Sequence, residues 1–379
     1  MPADRIGIVT LQGDSNYGNR LQNFALQEAI RGLGFEHVDS IVGLPRKETK
    51  PLKAKRLALT AYGRRQEITD RLLKRSGAVR VPDEYLSPAE RNNAIQAFSD
   101  EHIHTVRHDF GSSANNATFA QQYSHLVVGS DQVWNPAYTH ANPEWFLSFA
   151  HPEQRVAYAA SVGVPQLPTY VHSRYRKGLA GIKQLSVREH QAATTVRALT
   201  GITPPVVLDP TMLLTSERWS ELARTPQQLA SKTYIATFML SSGDTTSTGG
   251  PNLGAVHARA QHENLEIVDL HSPTDPELIA MGPLEFIGAI QGAELLVTDS
   301  FHATVFATLF HVPFLLVPRG AMNSRFETLL EHIGLNGRLL SEVTNVAAAL
   351  EVDWANVDER LASLRRESLD FLTAALNAT

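Results

Sequence analysis

Short apolar runs separated by stretches of helical period make up most of the chain. "IGIVTL" (6–11) is followed by "NRLQNFALQEAIRGLG" (19–34), whose apolar positions repeat at helical spacing and stop at Gly34, and then by "VDSIVG" (38–43). Strand, helix and strand at these lengths predict a βαβ unit, in which the two strands run parallel. "HLVVGS" (125–130), "VAYAAS" (156–161), "KQLSVRE" (183–189) and "PVVLDP" (205–210) extend the series. A second series runs through "TYIATFML" (233–240), "LEIVDL" (265–270), "AELLVTDS" (293–300) and "PFLLVP" (313–318). The pattern predicts an α/β protein of two doubly wound, Rossmann-like domains over 1–215 and 216–350, closed by a terminal helix in 351–379. No short-period repeat is present, and "SSGDTTSTGGPN" (241–252) has the composition of a linker rather than a phosphate cradle.

A length of 379 residues allows each domain a sizeable core, and 43% hydrophobic with 19% charged residues is ordinary for a globular protein. No apolar run approaches the roughly 18 residues of a membrane span, and "MPADRIGIVT" lacks the features of a secretion signal, so a cytoplasmic location is expected. With no cysteine, disulfides, thiolate zinc sites and cysteine nucleophiles are excluded, and any catalytic acid or nucleophile is oxygen or nitrogen. The net charge of −5 is uneven: residues 46–80 hold twelve Lys or Arg against three acidic residues, about +9, leaving about −14 elsewhere. Such a segment is a solvated helical insertion or a surface for anionic lipid, which would put the protein peripherally on the inner membrane face. No interleaved aromatics or binding motif point to nucleic acid.

In open parallel sheets ligands bind beyond the carboxyl ends of the strands, so the residues just after each run are the ones to inspect. In "TDSFHAT", Asp299 or Ser300 can cap the next helix, whose free amides and dipole form an anion seat with His302 in the first turn. A histidine there suits a general acid or an electrostatic clamp; its plainer role is a hydrogen bond to a neighbouring strand end. Arg188 ends "LSVR", where a guanidinium can grip carboxylate or phosphate, or pair with Glu189 or Asp209. Asn323, Ser324 and Arg325 open another helix and offer a second anion seat. The loop "GDSNYGN" contributes Asp14, Asn16, Tyr17 and Asn19 but lacks a dinucleotide fingerprint. "GSDQVWNP" supplies Asp131, Gln132, Trp134 and Asn135, a carboxylate, amides and an aromatic face of the kind a sugar needs, although Trp134 also fits a packing role.

Taken in order, "NYGNRLQNFALQ", "VVGSDQVWNP", "YAASVG", "LSVRE", "VVLDPTMLL", "TDSFHATVFATLF" and "NSRFETLLEHIGL" resemble the polysaccharide pyruvyl transferase family, from about residue 6 to about 340. The resemblance implies an architecture like the B-type glycosyltransferases, phosphoenolpyruvate as donor, a sugar or glycan acceptor that can be lipid-linked, ketal formation with release of phosphate, and no organic cofactor or metal. It assigns Arg188 and His302 to the donor. Ser300 stands where some branches carry arginine, which shifts phosphate binding to Arg325 or to backbone amides; Ala303 replaces a frequent glycine. On this basis His302 is the expected acid and Asp131 or Asp14 the base. Arg188, Ser300, Asn323, Ser324 and Arg325 are expected at the donor, and Asn16, Tyr17, Asn19, Gln132, Trp134 and Asn135 at the acceptor. A nucleotide-sugar glycosyltransferase and a catalytically silent glycan-binding relative are the rival readings.

Overall fold

The computed structural model describes residues 4–13, 16–44, 88–110, 113–240, 251–272, 274–317, 324–340 and 350–378, with 50, 53, 54 and 346. The basic segment 46–80, the loop 241–250, Asp14 and Asn323 therefore lie wholly or almost wholly outside the described residues. Among the described residues, ten strands form two sheets. The first holds β1 (Arg5–Val9), β2 (His37–Val42), β3 (Thr105–Arg107), β4 (His125–Val128), β5 (Arg155–Ala160) and β6 (Gln184–Val187), in spatial order β3-β2-β1-β4-β5-β6. The second holds β7 (Tyr234–Phe238), β8 (Glu266–Asp269), β9 (Leu295–Thr298) and β10 (Phe314–Leu316), in order β10-β9-β7-β8. All the pairings are parallel; β1 sets Ile6 against Val38 on one side and His125 on the other. The protein is thus α/β with two Rossmann-like domains.

Two elements depart from the hydrophobic pattern. "PVVLDP" makes one parallel bridge, Val187 to Val206, instead of a strand, because prolines at 204, 205 and 210 remove the amide donors on either side. Strand β3 carries only three residues, none of them buried, at the sheet edge, too short and too polar to stand out in sequence.

The helix Tyr17–Gly32 follows β1 and packs between the two lobes. Tyr17 stacks on Phe286 at 4.6 Å, Phe24 meets Trp219 at 5.7 Å, and Trp219 meets Phe306 edge-on at 5.0 Å, so one apolar core is continuous from the first lobe into the second. Apolar burial of this kind holds the lobes together without fixed polar geometry. Hydrogen bonds across the lobes then set the orientation, among them Tyr17 Oη donating to Met281 O at 2.8 Å, Arg91 Nη2 to Leu278 O at 3.1 Å and His190 N to Thr328 Oγ1 at 3.2 Å. The terminal helix, Trp354–Leu376, returns to the first lobe, where Leu208 N donates to Ser368 Oγ and Phe371 approaches Tyr158. Among the described residues no helix is long and apolar enough to cross a membrane.

Candidate active site

Each sheet has a switch point, where the chain leaves one neighbour of its first strand and later returns on the other side; crevices open there at the carboxyl ends. In the first sheet this is between β1 and β4, where Thr10 Oγ1 donates to Ser130 O at 3.1 Å and Asn19 Nδ2 to Asp131 Oδ2 at 3.1 Å. In the second it is between β7 and β9, where Thr298 Oγ1 donates to Phe238 O at 2.6 Å and Leu240 N to Asp299 Oδ1 at 2.7 Å. The two switch points face each other. Ser300 caps the helix Phe301–Leu309 by accepting from Ala303 N, which fixes His302 in its first turn. The imidazole lies against Gly18 of the opposite lobe so closely that a methyl group on Gly18 would fall 2.0 Å from Nδ1. Glycine at 18 is therefore what admits the ring.

Beneath His302 lies a buried ionic cluster. Asp209 Oδ2 accepts from Arg188 Nη1 at 2.5 Å and from Ser130 Oγ at 3.3 Å, and faces His302 Nε2 at 3.7 Å, beyond hydrogen-bonding range. Its Oδ1 accepts from Thr211 N and Oγ1. Arg188 Nη2 reaches Asp131 Oδ1 at 3.2 Å, and Nε stands 4.0 Å from Glu189 Oε2. Burial alone would raise the pKa of both aspartates. At Asp131 the charges of Arg188, His302 and Arg325 outweigh it, and at Asp209 the contributions of His302, Arg188 and Thr211 do, so both are held below the ordinary carboxylate range. Burial pulls the Arg188 pKa down while Asp209, Asp131 and Glu189 more than restore it. Arg188 and Arg325 lie 4.6 and 5.8 Å from the centroid of the Phe301 ring, a cation–π arrangement from two guanidiniums. Burial and then the Arg188 charge push the Arg325 pKa down to about 10, still protonated at neutral pH.

Above the cluster a small cleft, open to solvent, runs between the lobes. Phe238, Leu240 and Phe286 form its apolar wall, Asn16, Tyr17 and Gly18 one edge, and Ser300 and His302 the other, with Arg91 and His271 also lining it. No acidic side chain lines it among the described residues. Nor is any group of three or more His, Asp or Glu there arranged to hold a metal ion.

The residues singled out from sequence thus separate into groups. His302, Ser300, Asn16 and Tyr17 line the cleft; Asp131, Arg188 and Asn19 lie in the buried layer below, with Arg325 beside them over Phe301. Asn16 also caps its helix by accepting from Asn19 N. Ser324 begins the helix Ser324–Ile333, next to Arg325. Arg188 is 3% exposed, and its charge is engaged by carboxylates instead of facing the cleft, so a direct grip on a donor is not its arrangement here. The sugar platform expected of "DQVWNP" is corrected. Trp134 is fully buried, donates from Nε1 to Trp145 O and stacks on Phe146, because its indole fills the core beside β4. Gln132 and Asn135 bond each other at 2.8 Å, and Asn135 caps Pro136–Thr139 by accepting from Ala137 N, so their amides serve the local fold. Sequence reading missed Arg91, His271 and Phe301 as site residues and gave Asp209 only as a partner for Arg188. Arg91 lies inside a helix, Ala89–His102, far from any strand end, where the strand-end rule does not look.

No curated protein matches the chain. Solved structures of similar shape include a UDP-GlcNAc 2-epimerase of Methanocaldococcus jannaschii, 11% identical over 92% of this chain and 94% of that one, with a TM-score of 0.47. The E. coli ADP-heptose LPS heptosyltransferase II is 12% identical over 96% and 99%, with a TM-score of 0.37. The UDP-GlcNAc 2-epimerase of Neisseria meningitidis is 9% identical over 99% and 94%, with a TM-score of 0.45. The sequence pattern of polysaccharide pyruvyl transferases matches residues 16–320, which include every residue lining the cleft and Asp131, Arg188, Glu189 and Asp209 beneath it, though not Arg325. The chain belongs to the polysaccharide pyruvyl transferase family.

Proposed function

We propose that the protein transfers the pyruvyl group of phosphoenolpyruvate to two hydroxyls of a sugar or glycan, forming a cyclic ketal and releasing phosphate. The observation that carries the reading is His302, held at a helix N-terminus against the other lobe, in a cleft with no acidic lining among the described residues and a buried carboxylate behind the ring. Phosphoenolpyruvate is a small dianionic to trianionic enol ester, which such a cleft favours. The chemistry begins with proton transfer from His302 to the methylene carbon, leaving an oxocarbenium centre at C2. A sugar hydroxyl adds there and loses its proton to a base. Phosphate then leaves with the C2–O bonding pair, and the second hydroxyl adds to the oxocarbenium so formed and gives its proton to the now neutral imidazole of His302, which closes the ketal and restores the acid. Asp209 supplies the counter-charge for an imidazolium, and Arg188 fixes Asp209 in turn. Asp131 is the described aspartate of the two candidate bases, and its use requires that its bond from Arg188 loosen. Closing of the lobes over bound substrate would exclude water from the cationic centre. The scheme uses no organic cofactor.

The test is phosphate release from phosphoenolpyruvate across a panel of sugars and glycans, lipid-linked ones included, with the mass of one pyruvyl ketal sought on the acceptor. His302→Ala should lower turnover by about 10²–10⁴-fold, the loss expected of a general acid. Undiminished turnover removes His302 from the chemistry. Stabilisation by a nucleoside diphosphate and not by phosphoenolpyruvate would instead favour glycosyl transfer. Peripheral membrane contact through residues 46–80 belongs to the same proposal; sedimentation with anionic vesicles that is lost at high salt would support it, and no sedimentation at low salt would refute it.

A further inference from the structure

Arg91 is 2% exposed, yet among the described residues no carboxylate lies within ion-pairing distance of it. Its contacts are Leu278 O, accepting from Nη2 at 3.1 Å, and the Tyr17 ring, 5.9 Å from the guanidinium carbon; Nε has no hydrogen-bond partner. A buried guanidinium without an anion is costly, and elsewhere in this protein the rule is kept: Arg188, equally buried, has three carboxylates around it. Arg91 differs in that it borders the open cleft, together with Asn16, His271 and His302. The missing counter-charge has a place to come from.

We propose that Arg91 is an anion-binding residue of the cleft, taking the carboxylate or the phosphate of the substrate that enters between the lobes. Because the residue lies on the first lobe and the His302 helix on the second, an anion held by both ties the lobes together across the bond from Arg91 to Leu278. Burial and then the Arg91 charge hold the His271 pKa below its ordinary value, with Asp269, the Met239 carbonyl and Asp299 pulling the other way. A lone charged donor on an oxyanion fits a guanidinium better than an ammonium, since the planar fork can grip two oxygens at once.

This rests on the reading of the cleft as the phosphoenolpyruvate site, and the experiment separates the two. Calorimetric titration of the wild type, Arg91→Gln and Arg91→Lys with phosphoenolpyruvate, inorganic phosphate and pyruvate is the test. Arg91→Gln should weaken phosphoenolpyruvate about tenfold to a hundredfold, the size of one charge-assisted hydrogen bond, with Arg91→Lys in between. Whichever of phosphate and pyruvate weakens in parallel identifies the group that Arg91 holds. Affinity of Arg91→Gln within twofold of wild type for all three overturns the proposal, as does a wild type that binds none of them. Arg91-dependent binding of phosphate or pyruvate without binding of phosphoenolpyruvate keeps the anion site and overturns the donor reading. Should Arg91→Gln fail to fold, a wild-type crystal soaked in phosphoenolpyruvate decides: an anionic oxygen at hydrogen-bonding distance from Arg91 supports the proposal, and a donor bound away from it refutes it.

Discussion

Asp209→Asn tests the buried cluster on which the site rests. The side chain of Asp209 is fully buried and its carboxylate accepts from Arg188, Ser130 and Thr211 while facing His302. Asparagine keeps the shape and can keep an oxygen toward Thr211. It then presents an amide N–H₂ to the guanidinium, so a donor faces a donor. Arg188 keeps Asp131 at 3.2 Å and a longer approach to Glu189 at 4.0 Å, which leaves a buried cation short of its nearest counter-charge. Breaking a buried pair from one side costs about 3–5 kcal/mol, so a loss of that order is expected in urea unfolding at pH 7, followed through the buried Trp134, Trp145 and Trp219. The double variant Asp209→Asn with Arg188→Met removes both charges of this pair but leaves Asp131 and Glu189 without that guanidinium, so it should recover only part of the loss. A single variant that loses less than about 1 kcal/mol, or a double variant no more stable than the single one, refutes the reasoning.

Three further outcomes follow from particular contacts. Gly18→Ala should abolish most turnover while leaving the melting temperature within a few degrees, since a methyl 2.0 Å from His302 Nδ1 must displace the ring whereas alanine favours the helix by about 1 kcal/mol; normal kcat with the alanine in place would contradict the packing. Trp134→Phe should leave the acceptor KM unchanged and Trp134→Ala should cost about 3–5 kcal/mol of stability, as for a core indole; a tenfold rise in acceptor KM for Trp134→Phe would return it to the sugar site. Asp131 and Asp209 bind protons less readily folded than unfolded, so their stabilisation is complete above the ordinary value of 3.8 and disappears as pH falls through the lower folded values. Midpoints of urea unfolding at several pH values should therefore change little on their account between pH 7 and 5 and drop below about pH 4, and the drop should shrink in Asp209→Asn.

Local patterns carried much of the architecture. Alternating apolar runs and helical segments indicated nine of the ten strands among the described residues; β3 was invisible, because a three-residue polar edge strand has no hydrophobic period to read. His302 and Arg188 drew attention in the sequence because both follow strands, where ligand groups collect in parallel sheets; that the Arg188 guanidinium would turn into a buried carboxylate cluster was not visible there. Trp134 was legible only as an alternative. An indole after a strand has the same local sequence whether it faces a ligand or a core, and the choice depends on Phe146 and Trp145, which arrive from farther along the chain.

By itself the sequence determined the class of fold, the family and the chemical types present at the strand ends: imidazoles, guanidiniums and aspartates, and no thiol. These follow from periodicity and residue identity, which are properties of neighbours along the chain. Only tertiary structure decided that Asp209 would sit between Arg188 and His302, that Gly18 would make room for the imidazole, and that Arg91 would border the cleft without a carboxylate partner among the described residues. Charge pairing depends on distances between groups far apart along the chain, 21 positions between Arg188 and Asp209, 57 between Asp131 and Arg188 and 93 between Asp209 and His302, and those distances are fixed only when the two cores close on each other.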